Sequence, residues 1–253
     1  MINLIRSEVL KIRSTQVWFW MVLLSLAFTA LGTIIAVVQG IQSHHDGNFV
    51  DYYSIFTQSQ GASVALLVLG LLGLTTEFRH KTITPTLLAT PNRWLLLTGK
   101  AASYAIFAVI FAIVCVIANF AIATVWLSAA SVPVEFGHGV PGGVLKAFAS
   151  LVLTGMFGLG LGALIRNQAA AMVFGIVYFF VLDPVLNFTP WIRKVYAYTP
   201  GGAIKAFTSN GHVDGMPGDV HLLSPAVGGV LFLVWSLVLL AAGGQASLRR
   251  DIS

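Results

Sequence analysis

The chain has 253 residues, 57% of them hydrophobic and only 9% charged, with a mean hydropathy of +0.87 and a formal charge of +5. So much apolar surface with so few charges excludes a soluble globular protein, which must cover itself with polar groups. The basic residues sit beside apolar runs rather than on a polar face, which excludes a nucleic-acid partner, and the single cysteine, Cys115, lies in an apolar run and excludes an intrachain disulfide or a thiolate metal cluster.

The first element is "MINLIRSEVLKIRSTQ", residues 1–16. On a helical wheel Ile2, Ile5, Val9 and Ile12 share a face, Arg6 and Arg13 flank it, Ser7 and Lys11 point the other way, and Leu4 and Leu10 fall off the stripe. The pattern predicts an amphipathic helix lying in the membrane interface, with its arginines reaching the headgroups; a basic start that merely orients the first span fits the same residues.

Crossing a hydrocarbon core of about 30 Å takes roughly 20 apolar residues. Six stretches qualify: 17–38, 57–76, 101–127, 146–165, 169–186 and 225–243. The predicted fold class is therefore all-α, a polytopic membrane protein of one transmembrane domain. The first span is too long for the apolar part of a signal peptide, and no small-x-small cleavage site follows it, so it is expected to be retained. With the N-terminus inside, the inner segments carry ten of the fourteen Lys and Arg residues. Cytoplasmic loops accumulate these residues, which predicts a multi-pass protein of a plasma membrane, of the bacterial inner-membrane kind, with both termini cytoplasmic.

After the first span, His44, His45 and Asp46 lack a suitably spaced third ligand, and no metal site is expected there. At the start of the second span Phe56, Gln58 and Gln60, with Asn119 and Phe120 late in the third, gather on the outer half. As a set they are candidates for lining a substrate pathway, with Phe56, Gln60 and Asn119 the principal ones; singly, each polar group is accounted for by interhelical hydrogen bonding.

The most punctuated segment is "TTEFRHKTITPTLLATPNRW", Thr75–Trp94, on the inner side. Glu77, Arg79, His80 and Lys81 end the second span. Thr84-Pro85 reads as an N-cap with proline at the first helical position, Pro91 disfavours helix at Thr90, and Thr90-Pro91 starts the next helix, which carries Trp94 into the third span. The product is one short apolar turn displaying Leu87 and Leu88, suited to docking in a groove of a cytoplasmic partner. A connector that rests on the lipid is the other account of it.

Further along, Ser131–Gly143 is an outer loop with three turn-making breaks. In "GMFGLGLGALI" of the fourth span, Gly158 and Gly162 have the spacing that allows close helix packing, here expected within the chain rather than at a dimer seam. Asp183 is the one ionisable residue within the fifth span and is placed near its outer end, where Pro184 frees the carbonyl of Phe180 and predicts a bend. It is read as an interfacial helix end, with substrate contact at the exit as the alternative. The absence of a charge at mid-membrane argues against proton or sodium coupling. The outer segment 187–224 carries Trp191, Tyr196 and Tyr198, and "YTPGGAIKAF" predicts a short re-entrant or interfacial helix beginning near Pro200.

Residues Glu77–Lys100, "EFRHKTITPTLLATPNRWLLLTGK", resemble the segment after the second span in permease subunits of ABC-2-type exporters: an acidic residue, a basic pair, a Thr/Leu-rich turn, a proline with arginine, and a lysine, in that order. The basic N-terminus, six spans and extended outer segment before the last span are similar to that family as architecture. The resemblance implies that 77–100 is a cytoplasmic coupling segment, with Glu77, Arg79, Pro85, Leu87, Leu88 and Arg93 at the ATPase contact, and that the N-terminal helix is the connecting helix. It also implies a second permease, identical or paralogous, over two copies of an ABC ATPase.

No G-x-x-x-x-G-K-[ST] is present, because Gly99-Lys100 has Trp94 in place of the first glycine and Ala101 after the lysine. The chain is thus expected not to be an enzyme, and ATP and Mg are expected on the partner ATPase, with no cofactor on this chain. Two rivals are a non-transporting immunity or assembly factor using the same turn to recruit a partner, and a membrane enzyme, for which no H-E-x-x-H or other polar catalytic cluster is found.

Overall fold

The computed structural model describes residues 2–46, 48–58, 60–80, 82, 93–134, 136–137, 139–165, 167–189, 193–209 and 222–249; the side chains of 2–5, 13, 60, 93, 193, 194 and 246–249 lie outside the description. The described residues are helical with no strand among them. In chain order the helices are α1 (Ile2–Ser14), α2 (Val17–His45), α3 (Tyr52–Phe56), α4 (Gln60–Arg79), α5 (Arg93–Ala129), α6 (Val140–Leu164), α7 (Gln168–Val177), a π-helical turn (Tyr178–Leu182), α8 (Asp183–Phe188), α9 (Arg193–Tyr196), α10 (Pro200–Thr208) and α11 (Pro225–Arg249). Six helical segments are long and apolar enough to cross a bilayer, so the chain is a multi-pass membrane protein.

Several elements overrun their expected limits. Helix α2 continues past Val38 to His45, because nothing in "QGIQSHH" breaks it and Gly40 is covered by Val50 and Ile55. With 37 residues, α5 is about 55 Å long at 1.5 Å per residue, more than a hydrocarbon core of about 30 Å requires, and its first two turns hold its only described Lys side chain, that of Lys100.

Helix α6 is the hub, and its glycines set how closely its neighbours approach. A Cβ at Gly158 would stand 2.3 Å from the Leu67 carbonyl oxygen, and one at Gly162 would stand 2.6 Å from that of Leu71, so this face lies directly on the α4 backbone. On the opposite face, a Cβ at Gly160 would come within 2.7 Å of the Leu240 nitrogen on α11. The spacing legible in the sequence is therefore used within the chain, as expected. In α4 and α6, 67% of the membrane-crossing window is buried, against 17–28% in the other four spans, which turn Phe28, Ile117, Phe180, Val230 and similar side chains outward. That outward apolar surface is what a hydrocarbon solvent accepts. Polar side chains within the spans are tied to their own helices: Thr75 donates to Leu71, Ser103 to Gly99 and Thr154 to Ser150, at 2.7–2.8 Å.

At one end of the bundle α1 packs against α5, and Gly244 of α11 meets Leu97 and Trp94 of α5, so the two described ends of the chain gather there with the last turn of α4 and the start of α5. We call this the basic end. At the far end Tyr53 donates to the Thr208 carbonyl at 2.6 Å and Tyr52 to that of Pro133 at 2.5 Å, which ties α3 to α10 and to the 131–139 loop. Helix α10 begins at Pro200, as expected, with Thr199 as N-cap accepting from the Gly202 amide at 3.1 Å. Just before Pro184 the helix runs as a π-helical turn, in which the Asp183 amide donates to the Tyr178 carbonyl five residues back.

Candidate functional site

The basic end is organised by four charged side chains from three helices. Glu8 and Lys11 come from α1, Glu77 from the last turn of α4, and Lys100 from the second turn of α5. Lys100 Nζ donates to Glu8 Oε2 at 2.5 Å and to Glu77 Oε1 at 2.9 Å, while Lys11 Nζ donates to Glu8 Oε1 at 2.7 Å and to Glu77 Oε1 at 3.2 Å. Positive and negative groups alternate around a closed, formally neutral ring. Lys100 and Glu8 are each 2% exposed at the side chain and Glu77 is 9% exposed, whereas Lys11 reaches solvent.

Local sequence explains each position. Glu8 and Lys11 are three apart and share one side of α1, and the same side buries Ile12 while Leu10 is exposed. A helix forms at the N-terminus, and among its described side chains Glu8 is buried more deeply than Ile12 of the stripe. Burial pushes the Glu8 carboxyl upward, yet the Lys100 and Lys11 ammonium groups outweigh it and hold the carboxyl below its ordinary value. For Lys11, burial acts downward and is overcome by Glu8 and Glu77, so its ammonium stays protonated above the ordinary lysine value.

Beside the ring lies a cleft of about 480 Å³, with Ile12, Trp18, Leu69 and Leu72 among its walls and Lys11, Glu77 and His80 at its polar edge. Glu77 lines this cleft, and one of its carboxylate oxygens, Oε2, is buried and has no hydrogen-bond partner among the described residues.

The residues singled out in the sequence are distributed as follows. Glu77 is in the ring, its carboxylate turned inward. Arg79 is exposed and donates to Gln168 Oε1 at 3.2 Å, pinning the start of α7 to the end of α4. Arg93 opens α5, and its side chain lies outside the description. Pro85, Leu87 and Leu88 lie outside the described residues. At the far end, Phe56 packs against Phe120 and Phe136 with ring centroids 5.1–5.6 Å apart, and Asn119 is fully engaged: its side-chain oxygen accepts from Thr33 at 2.5 Å, and its amide donates to the Phe56 carbonyl at 2.9 Å and the Ile55 carbonyl at 3.4 Å. The space beside Phe56, Gln58 and Asn119 is about 10 Å³, room for no more than a water, and Asn119 ties α5 to α2 and α3. Gln60 begins α4, with its side chain outside the description.

A second, smaller polar group lies at the far end. Asp183, 4% exposed, accepts from the Tyr196 hydroxyl at 3.1 Å and lies 3.3 Å from Lys205 Nζ, and its other oxygen sits against Gly201 in the first turn of α10. A Cβ at Gly201 would fall 1.4 Å from that oxygen, so any larger residue there must push the Asp183 carboxylate aside.

Sequence reasoning did not identify the ring. Glu8 carries no signal beyond its spacing from Lys11, Lys11 reads as a residue of the polar side of α1, and Lys100 reads as the lysine that closes the 77–100 segment. Three acid or base residues at the margins of three apolar runs were the available sign. No protein-family model matches the chain, and no curated protein matches it at a significant level.

Proposed function

We propose that the chain is the transmembrane permease subunit of an ATP-driven exporter of the ABC-2 type, coupled to separate ATPase subunits through the 84–91 turn, with the basic end facing the cytoplasm. The observation that supports this most is the ion ring. It clamps α1 and the basic ends of α4 and α5 into one body, and α4 and α5 are the helices that the 81–92 segment connects. A partner that moved this segment would therefore move α1, α4 and α5 together, and α4 lies backbone to backbone on the hub helix α6. In this reading Glu77 acts by positioning, through Lys100 and Lys11, rather than by touching the ATPase. Contact with the ATPase falls to Arg79, Pro85, Leu87, Leu88 and Arg93. The permease pairs with a second copy or a paralogue, and ATP and Mg bind the partner.

The test is gentle purification of the tagged chain from its native membrane, with mass spectrometry of what stays bound. An ATPase in near-equal amount, lost with Leu87→Asp plus Leu88→Asp while insertion is unchanged, is the expected result. Recovery of the chain alone, or with a partner lacking nucleotide-binding motifs, moves the assignment to a non-transporting immunity or assembly factor. Normal export by the double variant would sink the coupling role of the turn.

A further inference from the structure

The ring at the basic end is complete as a set of charges but incomplete as a set of hydrogen bonds. Each lysine gives two of its three N–H groups to carboxylate oxygens of the ring. Glu8 uses both of its oxygens. Glu77 uses only Oε1, which accepts from both lysines, and its Oε2 is buried without a partner among the described residues. A buried carboxylate oxygen without a donor is costly, and it calls for an N–H or O–H from outside the ring.

The cleft beside the ring limits what that donor belongs to. Its walls are mainly apolar, with Trp18, Leu69 and Leu72 from membrane-crossing helices. It runs between the junction of α1 with α2 and the start of α7, at the level where the apolar spans give way to charged residues. Its volume of about 480 Å³ is within the range of small-molecule sites. A ligand that fits both the oxygen and the walls is an amphiphile. Because the ring is neutral, the head of that amphiphile is best matched as a zwitterion: a cation with N–H groups for Glu77 Oε2, and an anion for the solvent-reaching Lys11 and for His80 at the cleft edge.

We propose that this cleft holds one aminophospholipid of the phosphatidylethanolamine class, its ammonium donating to Glu77 Oε2, its phosphate beside Lys11 and His80, and its acyl chains along Leu69 and Leu72. A choline headgroup offers no N–H to the orphan oxygen, and a purely anionic headgroup brings a second negative charge towards Glu77. The lipid completes the clamp between α1, α4 and α5, so it acts as a structural part of the basic end. The proposal does not depend on the transport reading, since failure to find an ATPase leaves the ring and its cleft unchanged.

The test is native mass spectrometry of the full chain, delipidated in detergent and then offered equal amounts of dioleoyl-phosphatidylethanolamine, dioleoyl-phosphatidylcholine and dioleoyl-phosphatidylglycerol. One ethanolamine lipid per chain is expected, favoured about tenfold over the choline lipid, which is the effect of a single charge-assisted hydrogen bond. Glu77→Gln can present an amide N–H where the acceptor stood and should abolish that preference. Leu72→Trp fills the apolar wall without touching any of the four charges and should remove the bound lipid from a chain that still purifies as a folded protein. Equal occupancy by ethanolamine and choline lipids, dominance of phosphatidylglycerol, or unchanged ethanolamine occupancy in Leu72→Trp would each overturn the proposal.

Discussion

Both ends of the bundle bury a carboxylate, but they offset its charge in different ways. At the basic end Glu8 and Glu77 share two lysines in a ring whose members stand as far apart in sequence as residues 8 and 100. At the far end Asp183 leans on Tyr196, thirteen residues away, and on Lys205, whose side chain is 40% exposed. The first arrangement joins the ends of three helices drawn from separate parts of the chain. The second fastens a local turn, and solvent shares in the neutralisation of its charge. Removing one charge from the ring leaves two like charges to share one partner in a site with little access to water, whereas removing Lys205 leaves Asp183 with a phenol donor and the amino-terminal turn of α10 beside it.

Lys100→Met is therefore expected to be the most damaging change, at about 3–5 kcal/mol, the usual result of leaving a buried ion pair half unmade. A thermal-shift or detergent-resistance assay of the purified chain would record it, and a value near that of Lys205→Met would mean that the ring is not buried as described. Next comes Gly201→Ala, at about 1–3 kcal/mol by overpacking, because the added methyl occupies the place of the Asp183 carboxylate. Its recovery in an Asp183→Gly background, read as a double-mutant cycle, would confirm that the clash is with this side chain alone.

The pH dependence separates the two ends further. The Glu8 carboxyl is held below its ordinary value of 4.5, so its contribution to docking α1 is complete above that pH and disappears as pH falls through the lowered value. Lys11 is held above 10.5, so its contribution is complete below that pH and disappears as pH rises through the raised value. Docking of α1 should accordingly be level between these limits and weaken beyond each. A nitroxide attached at Leu10→Cys should keep a constant mobility across the plateau and become more mobile at both extremes; release of α1 near neutral pH would contradict the ring. The smallest effect is expected from Lys205→Met, about 0–1 kcal/mol, since its partly exposed ion pair is screened.

Much of the scaffold was legible from the sequence because lipid imposes a strong rule on composition. Six apolar runs became six helical segments, Pro200 started the helix it was expected to start, and Gly158 and Gly162 pack where their spacing placed them. The overrun of α2 to His45 was not legible, because polarity marks where lipid ends and not where a helix does. The ring was missed for a different reason. Its members share no local spacing beyond Glu8 with Lys11, and only the approach of α1 to the ends of α4 and α5 gives them a common site. Asn119 shows the converse: a polar residue in a span reads equally as a pathway lining or as a helix tie, and the choice depended on whether the carbonyls of Ile55 and Phe56 lay within reach.

The hub helix also has a bearing on how the protein is made. The two spans that bury most of their surface, α4 and α6, are also the two least apolar of the six, and each emerges from the ribosome before one of the helices that will cover it. Until α6 arrives, α4 presents to lipid a backbone groove shaped for another helix, and until α11 follows, α6 does the same on its far side. Assembly is thus a sequence of closures, in which the last span completes a pairing begun by the second.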